Sequence, residues 1–181
     1  AAIKLARKYA HENLGADKFE LITMKDSFHG RTMATITATG QEKFQFGFTP
    51  LLDGFTYVPF NDLKSLEAAI TAKTCGIMLE PIQGEGGVIV PDNGYLAEVR
   101  KICDRHNILL IVDEVQTGIG RTGKLFAYEH SGIEPDIMTL AKALGNGFPV
   151  GAMLATDKIA KAFNPGKHAS TFGGLKAFAI L

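Results

Sequence analysis

The sequence has no charge of one sign in excess: nineteen Lys and Arg balance nineteen Asp and Glu. No net field is therefore available to draw in nucleic acid or an anionic membrane surface. Long apolar runs are missing as well, and none approaches the roughly 18 residues needed to span a bilayer. Cysteine is scarce. Cys75 and Cys103 lie far apart and form no CxxC pair, which argues for free thiols in a reducing, cytoplasmic compartment. The five histidines (His11, His29, His106, His130, His168) form no HExxH or comparable spacing, so no metal site is expected. Internal repeats, linkers and low-complexity tracts are also absent. No methionine or capping residue precedes the helical pattern at Ala1, and Lys176-Ala-Phe-Ala-Ile-Leu181 stops without a turn, so the chain reads as an internal piece of a longer protein. The basic opening segment resembles a transit peptide, but Glu12 and the missing serines argue against one.

What is present is enough for one packed core: at 181 residues a single domain is the expectation. Strand-like and helix-like segments alternate. The strand candidates are Glu20–Met24, Phe55–Val58, Gly76–Glu80, Ile108–Asp113, Asp136–Leu140 and Gly151–Ala155. Helix candidates are Ala2–Leu14, with Ile3, Ala6, Tyr9 and Ala10 on one face, then Leu63–Ala72, Gly94–His106 and Asp157–Phe163. Asp62 suits the N-cap of the second helix and Gly15 the end of the first. This alternation predicts an α/β domain with a mostly parallel sheet and helices on both faces. Ligands in such folds gather beyond the carboxyl ends of the strands, where Glu80, Asp113 and Lys142 fall.

Lys142 lies in Thr139-Leu-Ala-Lys-Ala-Leu-Gly-Asn-Gly, and its apolar and glycine neighbours predict a poorly solvated amine. Asp113 ends the apolar run Ile108-Leu-Leu-Ile-Val, where a buried acid can hold a cationic ring nitrogen. The pair suggests pyridoxal phosphate attached covalently to Lys142 and held at its pyridine nitrogen by Asp113. A surface lysine on a helix is the plain alternative. Two other motifs compete nearby. Gly118-Ile-Gly-Arg-Thr-Gly123 fits the dinucleotide pattern GxGxxG, yet Glu114-Val-Gln-Thr separates it from the strand and no long helix follows. Gly118 to Lys124 approaches a phosphate-binding P-loop, but Leu125 replaces the magnesium-binding hydroxyl and the acidic strand comes first instead of second. A glycine loop bordering an active site fits both segments better.

Five blocks, taken in order, resemble the class III (subgroup II) aminotransferases, most closely the members that act on acetylornithine. They are Ser27-Phe-His-Gly-Arg-Thr32, Glu80-Pro-Ile-Gln-Gly-Glu-Gly-Gly87, Val112-Asp-Glu-Val-Gln-Thr-Gly-Ile-Gly-Arg-Thr-Gly123, Pro135 to Gly147, and Ser170-Thr-Phe-Gly-Gly174. The resemblance implies a partial large pyridoxal-phosphate-binding domain of fold type I over residues 1–181, family-like to about residue 174 and followed by an atypical tail at 175–181. It implies transfer of an ω-amino group from N-acetylornithine to 2-oxoglutarate in arginine biosynthesis. Ornithine, succinylornithine, succinyl-diaminopimelate and 4-aminobutyrate remain open as donors. His29 favours the acetylated donor, because ornithine-using members tend to carry tryptophan there.

By the same resemblance, Lys142 carries the cofactor and moves the proton. Asp113 pairs with the ring nitrogen, Val115 packs under the ring, Gln116 hydrogen-bonds its phenolic oxygen and Phe28 stacks on its other face. Arg31 grips a substrate carboxylate, Glu80 stands near the cofactor, and Glu85 is a gating acid for a second arginine beyond this chain. Thr171 binds the cofactor phosphate of a neighbouring subunit, which implies a homodimer with shared sites. Plainer roles stay open for several of these: core packing for Val115 and Phe28, a solvated loop for Gln116 and Glu85, and a helix-opening surface arginine for Arg31. The family's main phosphate loop would fall before Ala1 and its small C-terminal domain after residue 181, so a non-catalytic fragment is the competing expectation.

Overall fold

A computed structural model describes residues 1–170. The apolar runs pair into one six-stranded sheet: β1 (Glu20–Met24), β2 (Phe55–Val58), β3 (Thr74–Leu79), β4 (Leu109–Asp113), β5 (Ile137–Leu140) and β6 (Ala152–Ala155). The spatial order is β2-β1-β3-β4-β5-β6, with β6 antiparallel to β5 and every other pairing parallel. β3 and β4 are buried at every position, as expected of central strands covered on both faces. Along β4, Leu109 and Ile111 face one core while Leu110 and Val112 face the other.

The first core is closed by α1 (Ala2–Asn13) and α6 (Asp157–Ala160), the second by α4 (Leu63–Ala68) and α5 (Tyr95–His106). The predicted face of α1 is the buried one: Ile3, Ala6, Tyr9 and Ala10 are joined there by Ala2 and Leu5. Each large apolar side chain buried in this way contributes roughly 1.5–3 kcal/mol. Asp62 caps α4 as expected, its carboxylate accepting from the Ser65 amide at 3.0 Å and the Ser65 hydroxyl at 2.5 Å. That helix stops at Ala68 instead of Ala72. Beyond it the Thr71 amide donates to the Thr74 hydroxyl and the Thr71 hydroxyl to Glu20, so side chains bond this backbone into a turn. α6 likewise ends at Ala160, short of Phe163.

Two short helices follow β1 that the sequence pattern did not reveal, α2 (Met33–Ala38) and α3 (Glu42–Gln45). The chain returns from α2 to the end of β1 at Gly40, which bridges Lys25. A Cβ at Gly40 would lie 2.1 Å from the Met24 carbonyl oxygen, so only glycine permits this approach.

The order of the strands locates the crevice. The chain runs from β1 to β2 on one side, then crosses to β3 on the other side of β1 and continues outward. The direction therefore reverses between β1 and β3, and ligands of open α/β sheets bind outside the carboxyl ends at such a point. Among the described residues, no helix is long and apolar enough to cross a membrane.

Candidate active site

The carboxyl ends of β1, β3, β4 and β5 supply the predicted site residues. Asp113, the last residue of β4, is 4% exposed. Its Oδ1 accepts from the Val115 amide at 3.1 Å and from the Thr139 hydroxyl at 3.0 Å. Its Oδ2 pairs with His29 Nδ1 at 2.7 Å. Burying a carboxylate is costly unless its lone pairs are filled, and here three of about four are. Both lone pairs of Oδ1 are used, whereas Oδ2 keeps one. That remaining acceptor matches a single N–H on a cationic ring, so the donor set fits a protonated pyridine nitrogen.

Val115 does not continue the strand. β4 ends at Asp113, and the Val115 amide turns back onto the Asp113 carboxylate in an Asx-type turn. Val115 is half-buried. The adjoining Glu114 is buried, accepting from the Tyr128 amide at 2.9 Å and from the Thr117 hydroxyl, and so it ties both ends of the glycine loop to the strand. Within that loop Gln116 Nε2 approaches Glu85 Oε1 at 3.4 Å, which brings these two predicted residues together. Gly84 makes the approach possible, since a Cβ there would meet the Gln116 amide at 2.8 Å.

Glu80 follows β3 and is 2% exposed. Its Oε2 accepts from the Phe28 amide at 3.0 Å and its Oε1 from the Gly84 amide at 3.2 Å. Burial pushes its carboxyl above the usual range, and the nearby His29 and these two amides only partly oppose that. Its oxygens are spent on backbone, joining the loop after β1 to the loop after β3. Phe28 is half-buried and meets Phe44 edge-to-face at 5.3 Å. Arg31 is exposed and stands before Thr32, the N-cap of α2, so it does not open that helix.

Lys142 departs from expectation. It is exposed, so the desolvation read from its neighbours is not found; Ala143 beside it is exposed too, and flanking apolar residues do not by themselves bury a side chain. Its backbone is distinctive instead. Lys142 opens a 3-10 turn directly beyond β5 with φ of 46°, a left-handed conformation uncommon for a residue with a side chain. Strain of this kind concentrates at functional sites. Thr139, three residues earlier, is the residue that bonds Asp113, and it faces Asp113 across the β4–β5 register. Thr171 lies outside the described residues.

Four participants went unassigned in the sequence. Thr139 and Glu114 sit inside recognised blocks, so proximity to Asp113 was their available signal. His29 served only as a substrate cue, yet it is buried against Asp113 with its Nε2 unpartnered. Phe44 had no signal at all. A cleft of about 580 Å³ lies elsewhere, lined by residues such as Pro91, Leu96 and His130 and by none of the predicted ones.

Comparison with known proteins agrees with this fold. The chain matches the class-III aminotransferase family over residues 1–180. It is 59% identical over 174 residues to the acetylornithine aminotransferase of Neisseria meningitidis serogroup B, covering 96% of this chain and 44% of that relative. The chain thus spans less than half the length of the curated relatives it matches. Among solved structures, the ornithine aminotransferase of Toxoplasma gondii, reported with partial occupancy of pyridoxal phosphate at its active site, superimposes with a TM-score of 0.90. Sequence identity there is 37%, over 94% of this chain and 42% of that one. The N-acetylornithine aminotransferase of Stenotrophomonas maltophilia K279a is 46% identical, with a TM-score of 0.73 over 89% of this chain and 39% of its own. The α/β architecture and these matches agree: the chain belongs to the class-III aminotransferase family.

Proposed function

We propose that the complete polypeptide is a pyridoxal-phosphate-dependent aminotransferase that moves the ω-amino group of N-acetylornithine to 2-oxoglutarate, giving glutamate and a semialdehyde. The observation that carries this reading is Asp113: buried at a strand end, held by three donors, and left with one open acceptor. High identity to an acetylornithine aminotransferase supports the choice of donor and a place in arginine biosynthesis.

Each residue has a definable task. When bound, pyridoxal phosphate supplies an electron-withdrawing ring that stabilises negative charge on the carbon losing its proton. Asp113 Oδ2 would accept the ring N–H and would keep that nitrogen protonated. The Lys142 amine would hold the cofactor, and its Nζ would accept and return the substrate proton. Its exposed position leaves that nitrogen free of protein acceptors among the described residues. Phe28 and Val115 would enclose the ring, and Gln116, whose amide is directed at Glu85, would donate to its phenolic oxygen. Arg31 offers a bidentate fork to the substrate carboxylate. Glu85 gates that subsite. Glu80 supports it from behind by fixing Phe28 and the 81–87 loop. Thr171 is proposed to reach the cofactor phosphate of a second subunit in a cytoplasmic homodimer.

The test uses the complete polypeptide loaded with pyridoxal phosphate. Borohydride reduction followed by peptide mass mapping is expected to place the adduct on Lys142. No adduct, or one on another lysine, overturns the reading. Among N-acetylornithine, ornithine, succinylornithine and 4-aminobutyrate, the first is expected to show the highest kcat/KM; a preference for another donor reassigns the substrate and leaves the chemistry standing.

A further inference from the structure

Arg31 is held by aromatic rings. Among the described residues no carboxylate or carbonyl accepts a hydrogen bond from it. Its Cζ instead lies 4.5 Å from the centroid of the Phe44 ring and 5.4 Å from that of Phe28. The two rings meet at 75°, so they form a corner into which the guanidinium fits. Lys43 Nζ also approaches the Phe44 ring, at 4.8 Å, and this ring is therefore the common seat of two cations.

Stacking suits a guanidinium with a task at its rim. A planar guanidinium over a ring can present its face to it and leave its N–H donors, which lie around the edge, free for a carboxylate. An arginine without such a seat samples many rotamers, and binding a substrate must then order it. The seat itself is fixed. Phe44 belongs to α3, where the neighbouring Gln45 Nε2 donates to the Thr39 carbonyl at 2.8 Å and to the Tyr57 hydroxyl at 3.0 Å. The Tyr57 hydroxyl in turn donates to the Thr37 carbonyl at 2.5 Å, tying α3 to α2 and β2. Phe28 is fixed from the other side by the hydrogen bond its backbone N–H donates to the Glu80 carboxylate.

We infer that Phe44 is a positioning residue for carboxylate recognition: its ring pre-orients the Arg31 guanidinium and so sets the affinity for substrates bearing a carboxylate. This rests on the reading of Arg31 as the carboxylate-binding residue. Phe44 acts only through Arg31 and touches no reacting atom.

The experiment is a double-mutant cycle in the complete, cofactor-loaded polypeptide. Phe44→Leu is expected to raise KM for the amino-acid donor and for 2-oxoglutarate by about two- to fivefold, the weight of an exposed cation–π contact, with kcat little changed. Phe44→Tyr, which keeps the ring, is expected to restore KM. The effect should vanish in an Arg31→Gln background and for a plain alkylamine donor lacking a carboxylate. If Phe44→Leu loses the fold on thermal melting, Phe44→Met supplies the same loss of ring face. Unchanged KM in Arg31→Gln overturns the role of Arg31 itself. A raised KM in Arg31→Gln, with Phe44→Leu either silent or equally harmful in both backgrounds, overturns only the role of Phe44.

Discussion

Asp113 and Lys142 stand at the ends of neighbouring strands and are built in opposite ways. Asp113 is sealed, with hydrogen bonds from the loop after β1, from its own turn and from β5. Lys142 is exposed, and its backbone is left-handed. The proposed anchor has to be pre-formed because a buried carboxylate without partners is expensive. In its proposed role the lysine needs freedom, because a group that gives and takes a proton must change partners. Stability is concentrated in one member of the pair and strain in the other.

Breaking the lysine should have the largest effect, and on chemistry alone. In the complete polypeptide Lys142→Ala is expected to lower kcat by at least the order of 10²–10⁴-fold that positioned proton transfer supplies. Its unfolding free energy should stay within about 0.5 kcal/mol of the parent's in urea titration, as for most surface substitutions. Asp113→Asn should damage both properties: loss of activity together with about 1–3 kcal/mol of stability, since buried donors lose a charged acceptor. Thr139→Val removes one donor to Asp113 without touching the lysine. A loss of about 0.5–1.5 kcal/mol is expected, with weaker cofactor retention measured by equilibrium dialysis. Lys142→Gly sharpens the contrast. It should raise stability by up to ~1 kcal/mol by relieving the left-handed backbone while abolishing activity.

The smallest effect concerns pH. Burial raises the Glu80 carboxyl above its usual 4.5, so the folded chain holds that proton more tightly than the unfolded one. The stability this group contributes is fully present below 4.5 and declines as pH rises through the elevated value. Relative to Glu80→Gln, the parent should therefore lose thermal stability as pH increases across that window. A difference that does not vary with pH would remove the desolvation argument.

The fold was legible wherever a strand or helix carries its own pattern. All six strands appear within two residues of the predicted ends, and the apolar face of α1 is the predicted one. α2 and α3 escaped because Met-Ala-Thr-Ile-Thr-Ala is short and threonine-rich, and Glu42–Gln45 is a single turn. In the site, residues could be named from local blocks, but their connections could not. His29 and Asp113 are 84 residues apart, and Phe28 and Glu80 are 52 apart. No local pattern encodes such a pair. The exposure of Lys142 was misread for a related reason: burial depends on what the sheet brings overhead, and adjacent residue types do not report it.

The Glu80 carboxylate has a mechanical consequence. One of its oxygens is fastened to the backbone of Phe28 and the other to that of Gly84, one residue before Glu85. Two loops that leave different strands are therefore yoked. A swing of the Glu85 loop either breaks a buried hydrogen bond or drags Phe28 with it. Opening at the carboxylate end and loosening of the aromatic wall become one concerted displacement.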